Sequence, residues 1–461
     1  MWLILTRRIP QKTTVKNIMA TDRYIAALEI SSSKVIGAVG AAGKSGQLEI
    51  LAIEQEKSAD SVRYGQIQNI EETYNLITYV LERLERRQNI APREITGVYV
   101  GISGRSLRSI RKEVSLALPD DTDITESILE RLKNSAMEAD LDSSLEIVDA
   151  IPRIFTVGKT ETHRPKGMMG NHITAIYDLI VARPIIQSNL KRVVKDRLGL
   201  DIRGIVVTPL ATGDIALNEH EKKLGCMLVD IGAETTTVTI YTRGNLVYYA
   251  TLPFGGRNIT LDLMELNELE DKAEEFKINF GNAIAPIVPS QVKVGSHKQS
   301  DISNYVVARS EEIVANIVEQ IKYAGLTEKD IPEGIVLCGG GARLNGMTEL
   351  IGKFTGLKVR TATLPHYIRM TDINGQGMES LQLAAIMYAA SKKSDEDCLQ
   401  IPPAPEPEPE PEQVDTSTKT GGNAQPEKPK QRRPGFFNRL GNKLGQIFTP
   451  IGEDDEGDEL T

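Results

Sequence analysis

Two stretches of the chain share one pattern of apolar and polar positions. In residues 226–241, CMLVDIGAETTTVTIY, an apolar run ends around Asp230, a small polar turn follows, and a second run leads to Tyr241. Residues 24–39, YIAALEISSSKVIGAV, repeat the plan with Glu29 before the turn. Each stretch predicts a β-hairpin with a carboxylate near the end of its first strand. Such a turn can present backbone N–H groups to a phosphate, although either stretch alone is more typical of a plain hairpin.

A third stretch changes this interpretation. Residues 335–347, IVLCGGGARLNGM, predict an apolar strand that runs into Gly339, Gly340 and Gly341, with a helix after them. Two acid-bearing hairpins about two hundred residues apart, followed by a glycine-rich strand end, suggest two duplicated domains that face a shared cleft.

Helical periodicity accounts for much of the remaining chain. Residues 71–87 place Tyr74, Ile77, Leu81 and Leu84 on one helical face. Further helices are predicted over 125–139, 184–198, 260–271, 309–324 and 379–390, and strands over 95–103, 145–157, 173–181 and 202–207.

Composition narrows the class of protein. The 461 residues are enough for two or more domains, and 40% hydrophobic with 25% charged residues indicates a mostly globular chain. A net charge of −9 argues against nucleic acid as the main partner. Cys226, Cys338 and Cys398 have no paired spacing, so we expect core thiols in a reducing compartment. No apolar run approaches the length of a membrane-spanning helix.

Both ends of the chain differ from the middle. Residues 1–21 begin with a short apolar run followed directly by arginines, which is the wrong order for a signal peptide. We expect either a disordered arm or an upstream extension before a true start at Met19. Residues 394–434 form a Pro/Glu-rich linker that is expected to be extended and disordered.

After the linker, residues 435–449 predict an amphipathic helix. Its apolar positions share one stripe, basic residues flank the stripe, and Gly441 and Gly445 weaken the helix in water. We therefore expect it to form on a bilayer and lie in the interface, although docking on the protein's own core is the simpler alternative. The acidic tail 450–461 should weaken attraction to anionic lipid. The predicted membrane contacts are Phe436, Phe437, Arg439, Leu440, Lys443, Leu444, Ile447 and Phe448.

The motifs in this order resemble the actin-like ATPase superfamily, and within it the FtsA family of bacterial actin-like division proteins. The resemblance covers residues 22–393 and the C-terminal helix. It rests on LEISSSKVIGAVG, on the insertion before VDIGAETTTV, on the AEEFKINFG helix and on IVLCGGGARLNGM. It implies an α/β, actin-like (ribonuclease H-like) two-domain fold with an inserted subdomain 1C. The implied subdomains are 1A over 22–95 and 183–205, completed by 366–393; 1C over 96–182; 2A over 206–255 and 327–365; and 2B over 256–326.

The resemblance also implies a nucleotide site for ATP. Glu29 and Asp230 would hold Mg²⁺ largely through its waters, because hard oxygen ligands suit that ion. Glu274 and Lys277, three apart on one helix, would contact the ribose and base, although an ordinary surface ion pair is the simpler interpretation. The implied ATP contacts are Ser31, Ser32, Ser33, Lys34, Gly232, Ala233, Thr235, Thr236, Gly255, Gly256, Glu274, Lys277, Gly339, Gly340, Gly341 and Arg343.

This chain departs from the family pattern at several positions of that site. Ser31 stands where glycine is usual, and Ala233 with Glu234 replaces a Gly-Gly pair. Glu234 would repel a triphosphate unless it turned outward or helped to hold the metal. Thr208 stands where hydrolysing relatives often carry glutamate, so no water-positioning group is evident. We therefore expect nucleotide binding with little turnover, and no catalytic residue is assigned.

The resemblance implies a tether for the tubulin-like FtsZ ring at the cytoplasmic face of the membrane, at the division septum. FtsZ would bind subdomain 2B, later division proteins would bind subdomain 1C, and the protein would self-associate into filaments on anionic lipid. An actin-like pilus-assembly factor and a small-molecule kinase of the same superfamily remain the alternatives. A kinase needs a carboxylate base beside a substrate pocket, and the sequence offers no obvious one.

Overall fold

The computed structural model describes residues 23–43, 46–284, 292–371, 381–393 and 396–403. The predicted N-terminal extension, residues 404–434 of the linker, the amphipathic helix and the acidic tail lie outside these residues, so the statements about them stay predictions. The disordered linker predicted to begin at 394 is wrong at its start, because Leu399 and Gln400 pair with Ile95 and Glu94 in a short sheet and Cys398 is buried.

The secondary structure is numbered in chain order within the described residues. Strands β1 to β21 are Arg23–Ile30, Lys34–Ala42, Leu48–Lys57, Val62–Arg63, Gln66–Ile67, Glu94–Ile95, Gly97–Ile102, Arg108–Asp123, Glu146–Val157, Thr160–Thr162, Met169–Ala182, Asp201–Val207, Cys226–Ile231, Thr236–Thr242, Asn245–Leu252, Lys293–Val294, His297–Lys298, Ile335–Cys338, Val359–Thr361, Ile368–Met370 and Leu399–Gln400. Helices α1 to α10 are Ile70–Glu85, Glu126–Met137, Pro184–Lys191, Thr208–Ala216, Glu219–Leu224, Gly256–Leu263, Glu270–Phe280, Gln299–Tyr323, Met347–Thr355 and Leu381–Ser391.

The first large sheet contains six strands in the order β12-β7-β1-β2-β3-β20. Strand β1 is antiparallel to β2 and parallel to β7, so the first hairpin lies in the middle of the sheet. Both hairpin strands are buried along most of their length because α1 covers β2 and β3 while α10 packs on β1 and β7. This explains their continuous apolar runs, which are typical of strands covered on both faces.

The second large sheet repeats this arrangement with five strands, β15-β14-β13-β18-β19. Its hairpin β13–β14 is antiparallel, and β13 is parallel to β18 on its other side. Helices α6, α8 and α9 contribute side chains to its core. The predicted pair of similarly built α/β domains is therefore confirmed.

A smaller antiparallel sheet, β10-β9-β11-β8, forms the inserted unit. Helix α2 packs on this sheet, and the two share a core that includes Leu132 and Tyr177. Strand β7 pairs with β1 and β12, so the predicted insertion, 96–182, begins within the six-stranded sheet rather than in the small one. The small sheet itself starts at Arg108.

Three further expectations can be compared with the described residues. The helix expected over 260–271 is wrong: α6 ends at Leu263 and a left-handed Asn267, at φ 63°, precedes α7. Helix α8 begins ten residues before the predicted 309. All three cysteines are free and buried, as expected of core thiols. None of the described helices is both long and apolar enough to cross a bilayer.

Candidate functional site

The two hairpin carboxylates approach each other from the two large sheets. Glu29 and Asp230 are each the next-to-last residue of their strands. Burial, followed by the negative charge of Asp230, raises the pKa of Glu29 to about 7, against a smaller lowering by Lys34. Burial also raises the pKa of Asp230, although hydrogen bonds from Gln382 and Cys338 act in the opposite direction. Two carboxylates that disfavour each other's charge in a buried place are a suitable site for a cation.

The chemistry of this pair fits a hydrated Mg²⁺. Asp230 keeps its place because its Oδ1 accepts a hydrogen bond from Gln382 Nε2 at 3.1 Å. No group of three or more potential protein ligands occurs among the described residues. A cation at Glu29 and Asp230 would therefore complete its shell with water or phosphate oxygens, as Mg²⁺ commonly does.

The first loop is a tight turn closed by Ser31. Its backbone N–H and its hydroxyl both donate to the carbonyl oxygen of Lys34, at 3.0 and 2.9 Å. The buried Ser32 hydroxyl accepts a hydrogen bond from Gly65 N–H at 3.1 Å. The side chain of Ser33 is exposed. Of the three predicted serines, Ser33 is thus the one whose side chain faces solvent.

The second loop is fastened to the start of α6. The carbonyl of Gly232 accepts from Gly256 N–H at 2.9 Å, and that of Ala233 accepts from Arg257 N–H at 2.7 Å. A Cβ on Gly255 would lie 2.4 Å from the Gly232 oxygen, so this close approach requires glycine. The first amides of α6 are therefore used within the protein, and a phosphate contact by Gly255 or Gly256 stays a prediction.

Two threonines of the second loop differ in accessibility. Thr236 is fully buried and its hydroxyl donates to the carbonyl oxygen of Phe254 at 2.9 Å. Thr235 is only partly buried, and its carbonyl accepts from Gly232 N–H at 2.8 Å. The Thr235 hydroxyl is thus the better placed of the two for an outside ligand.

Glu234 is buried in an ion-pair network, an arrangement that the sequence did not predict. Its side chain is 4% exposed, and it accepts a hydrogen bond from Tyr64 N–H at 2.6 Å. Arg257 Nη1 donates to it at 3.0 Å, and Arg63 Nε lies 2.5 Å away in an ion pair. Two cations offset its charge, so the repulsion expected between Glu234 and a triphosphate is reduced.

The same network crosses from one half of the molecule to the other. Arg257, at the start of α6, also makes a two-pronged contact with Glu270, at 2.7 and 3.0 Å, and reaches Asp60 at 3.3 Å. Hydrogen bonds to Glu270 are the largest cause of the raised pKa of Arg257. Asp60 and Tyr64 precede α1, whereas Glu234, Arg257 and Glu270 belong to the second half.

Lys277 connects α7 to α6. Its Nζ donates to Glu274 at 2.6 Å, to Thr260 Oγ1 at 2.8 Å and to the carbonyl of Gly256 at 3.0 Å. Burial lowers the pKa of Lys277, against the opposing effect of Glu274. A Cβ on Gly256 would lie 3.7 Å from the Cα of Gly341. The structure thus brings the predicted Glu274–Lys277 pair beside the glycine run.

The three glycines after β18 serve different purposes. Gly339 has φ 86°, and a Cβ there would lie 2.3 Å from Asp230 Oδ1. A Cβ on Gly341 would meet Ile231 Cγ2 at 2.4 Å, whereas one on Gly340 would meet nothing within 4 Å. Gly339 and Gly341 are therefore required by contacts with β13, and Gly340 leaves open space. Arg343 follows on the surface.

Thr208 begins α4 in a buried position. It is 2% exposed, and among the described residues its hydroxyl has no hydrogen-bond partner. A hydroxyl rather than a carboxylate occupies this position, and the expectation of little hydrolysis stays a prediction.

Comparison with known proteins gives this architecture a family. The model "Cell division protein FtsA" matches residues 227–380, and the model "SHS2 domain inserted in FTSA" matches residues 104–181. The cell division protein FtsA of Porphyromonas gingivalis is 30% identical over 350 residues, which cover 73% of this chain and 72% of that protein. This chain belongs to the FtsA family. The Pseudomonas aeruginosa FtsA is 28% identical over 391 residues, covering 81% and 91% of the two chains.

A solved structure supports the fold independently. The chain titled as a PilM-PilN type IV pilus biogenesis complex superposes with a TM-score of 0.57 at 15% identity, covering 80% of this chain and 99% of that one. The actin-like fold predicted from the motifs is confirmed, and the FtsA insertion falls within the predicted segment 96–182. The family makes this chain a cell division protein of the actin-like type.

The sequence did not predict the residues that hydrogen-bond or ion-pair with the site's carboxylates. They include Arg63, Tyr64, Arg257 and Gln382, which contact Glu234 or Asp230. Arg257 directly follows the Gly255-Gly256 pair, which was a usable local signal. The other three lie more than a hundred residues from the groups they contact, so no local pattern indicated them.

Proposed function

We propose that this FtsA-family protein binds ATP with Mg²⁺ in the cleft between its two large sheets. The observation that carries the proposal is the approach of Glu29 and Asp230 from equivalent hairpins, with a raised pKa at each. A divalent cation would stabilise both carboxylates in the charged form and would draw phosphate oxygens to the same point. Ser33, Thr235 and Gly340 offer the accessible loop groups around it.

The adenosine end is proposed at Glu274 and Lys277. Their shared position beside Gly256 and Gly341 supports this, because the pair is anchored and its side chains are only partly buried. Little ATP hydrolysis is expected, since the hydroxyl of Thr208 is not a carboxylate that could orient an attacking water.

We further propose that the protein tethers FtsZ polymers to the cytoplasmic face of the membrane at the septum, and that it self-associates there. Membership of the FtsA family supports this role. In the segment predicted as subdomain 2B, the described residues Leu269, Ile278 and Tyr323 are 82%, 65% and 70% exposed. FtsZ is proposed to bind in this segment, and these exposed apolar side chains are the candidates there for contacts with a peptide. Later division proteins are proposed to bind the inserted domain.

The nucleotide proposal is tested by the melting temperature of the purified full chain. Millimolar ATP with Mg²⁺ is expected to raise it, and the double variant Glu29→Gln with Asp230→Asn should lose the part of the shift that needs Mg²⁺. Tyr79→Ala, an exposed residue on α1, is the control. The absence of any ATP-dependent shift in the unaltered protein would reject nucleotide binding.

The tethering proposal is tested by flotation with anionic vesicles and FtsZ polymers. FtsZ should float only when this protein is present. Phe437→Glu with Leu444→Glu should abolish flotation, whereas removal of 453–461 should strengthen it by removing like charge. If this protein floats with the vesicles but does not bring FtsZ with it, the result would favour the pilus-assembly alternative over the division role. ATP-dependent phosphorylation of a sugar would favour the kinase.

A further inference from the structure

A cleft of about 560 Å³ lies where the inserted domain joins the rest of the molecule. Its wall comes from the segment that enters the inserted domain, from the segment before β9 and from the segment that leaves β11. The residues that line it are Arg105, Ser106, Arg108, Ser144, Leu145, Arg183, Pro184 and Ile185. Its volume lies within the range usual for small-molecule sites, about 300–1,000 Å³.

The wall contains three arginines and no acidic side chain. Arg105, Arg108 and Arg183 make no ion pair with any part of the chain that the structure describes, in contrast to the arginines around Glu234. The register of the small sheet explains their approach. Arg108 pairs with Val181, two residues before Arg183, so the ends of β8 and β11 bring both guanidinium groups to one edge.

Two further features of the wall suit an anion. The hydroxyl of Ser106 is buried and has no hydrogen-bond partner among the described residues, although such groups are rarely left unpaired. Helix α3 starts at the wall with Pro184 and has no side-chain cap, so the positive end of its dipole faces this side of the cleft. The neighbouring acid, Asp142, accepts hydrogen bonds from the amide and hydroxyl of Ser144.

We propose that this cleft binds a small soluble compound that carries a phosphate group with at least two negative charges. Guanidinium groups match phosphate oxygens in charge and in planar, two-pronged geometry. The cleft is separate from the proposed nucleotide site, but the two share one turn. Arg105 stacks on the ring of Tyr64 at 4.6 Å, while the amide of Tyr64 donates to Glu234. A ligand bound here would contact both chain segments that connect the inserted domain to the rest of the molecule.

The test uses inorganic pyrophosphate as the probe, measured by calorimetry on the full chain at fixed ionic strength. The double variant Arg108→Gln with Arg183→Gln should bind it at least about tenfold more weakly. The control is Arg131→Gln with Arg164→Gln, two exposed arginines of the same inserted domain that lie outside the wall. It carries the same charge change and should keep the affinity of the unaltered protein.

Three results would overturn the proposal. They are no binding to the unaltered protein, equal binding by both double variants, and binding by the cleft variant as tight as that of the unaltered protein. The last would assign pyrophosphate to another place, such as the nucleotide site. The ATP-dependent melting shift of the cleft variant should be unchanged, so failure here is distinguishable from failure of the proposed function.

The source of the phosphate is tested with phosphatidylglycerol vesicles. In a chain that carries Phe437→Glu and Leu444→Glu but keeps the cleft arginines, no flotation should remain. Residual flotation that disappears when Arg108 and Arg183 are replaced would mean that the cleft takes a lipid headgroup, and it would overturn the assignment of a soluble ligand.

Discussion

The two hairpins of this protein have the same pattern of residues, but they hold the molecule together in different ways. Both reach one turn between β4 and β5: Ser32 accepts a hydrogen bond from Gly65 N–H, and Glu234 accepts one from Tyr64 N–H. The first contact is a neutral hydroxyl within one half of the molecule. The second is a buried carboxylate that reaches across the cleft with two arginines. Similar local sequence therefore supports a local turn in one case and an interdomain connection in the other.

The largest expected difference between the hairpins comes from removing these two groups. Glu234→Ala should lower the free energy of unfolding by about 2–4 kcal/mol, because it leaves the amide of Tyr64 unpaired and removes the buried carboxylate from Arg257, whose remaining partners Glu270 and Asp60 are more exposed. Ser32→Ala should lower it by about 1 kcal/mol, the value of one neutral hydrogen bond. Urea denaturation of both variants measures the difference. Equal effects would show that the ion-pair network stabilises the fold no more than one neutral hydrogen bond does.

A second comparison concerns the glycines beside Asp230. Gly339→Ala should destabilise the protein by about 1–3 kcal/mol, since its positive φ and the contact with Asp230 both exclude a side chain. Gly340→Ala should leave stability unchanged within about 0.5 kcal/mol because its Cβ meets open space. Thermal denaturation checks both. If Gly340→Ala also leaves ATP affinity unaltered, the adenosine does not approach this glycine.

The neutral variants of the two carboxylates should have the same effect on Mg²⁺-dependent ATP affinity, but only the Asp230 variant should also disturb contacts within the protein. Glu29→Gln is expected to reduce the Mg²⁺-dependent part of ATP affinity about tenfold, since one of two protein oxygens is lost. Asp230→Asn should do the same, and should also disturb the contacts with Gln382 and Cys338. ATP titrations with Mg²⁺ and with EDTA separate these effects. Identical affinities in EDTA and Mg²⁺ for the unaltered protein would exclude the metal site.

The smallest difference is expected between two hydroxyls. Thr236→Ala should cost about 1–2 kcal/mol, because its buried hydroxyl bonds Phe254 and its methyl group is packed. Ser31→Ala should cost about 0.5 kcal/mol, as its backbone N–H still donates to Lys34. Chemical denaturation is again the measurement, with Thr236→Val as the control that keeps the volume. A larger loss for Ser31→Ala would mean that the first turn depends on its side chain.

The sequence alone determined the fold and the order of its parts. Apolar runs that end at Glu29 and Asp230 define central strands, since only a strand covered on both faces is apolar throughout. Glycines at 339–341 and the pair Glu274–Lys277 could be found because each is a local pattern, fixed by a strand end or by one helical turn. The family resemblance is confirmed, and the FtsA family model matches residues 227–380, which include Asp230, the Glu274–Lys277 pair and the glycine run.

Only the tertiary structure decided what these residues contact. Arg63, Arg257 and Gln382 reach their partners across 23 to 171 positions of sequence, and no periodicity encodes such pairs. It also showed that Gly339 and Gly341 accommodate β13, and that the charge of Glu234 is offset by arginines. The physical reason is that apolar periodicity is imposed by burial along each element, whereas a buried charge is stabilised by whichever partner the packed elements bring near.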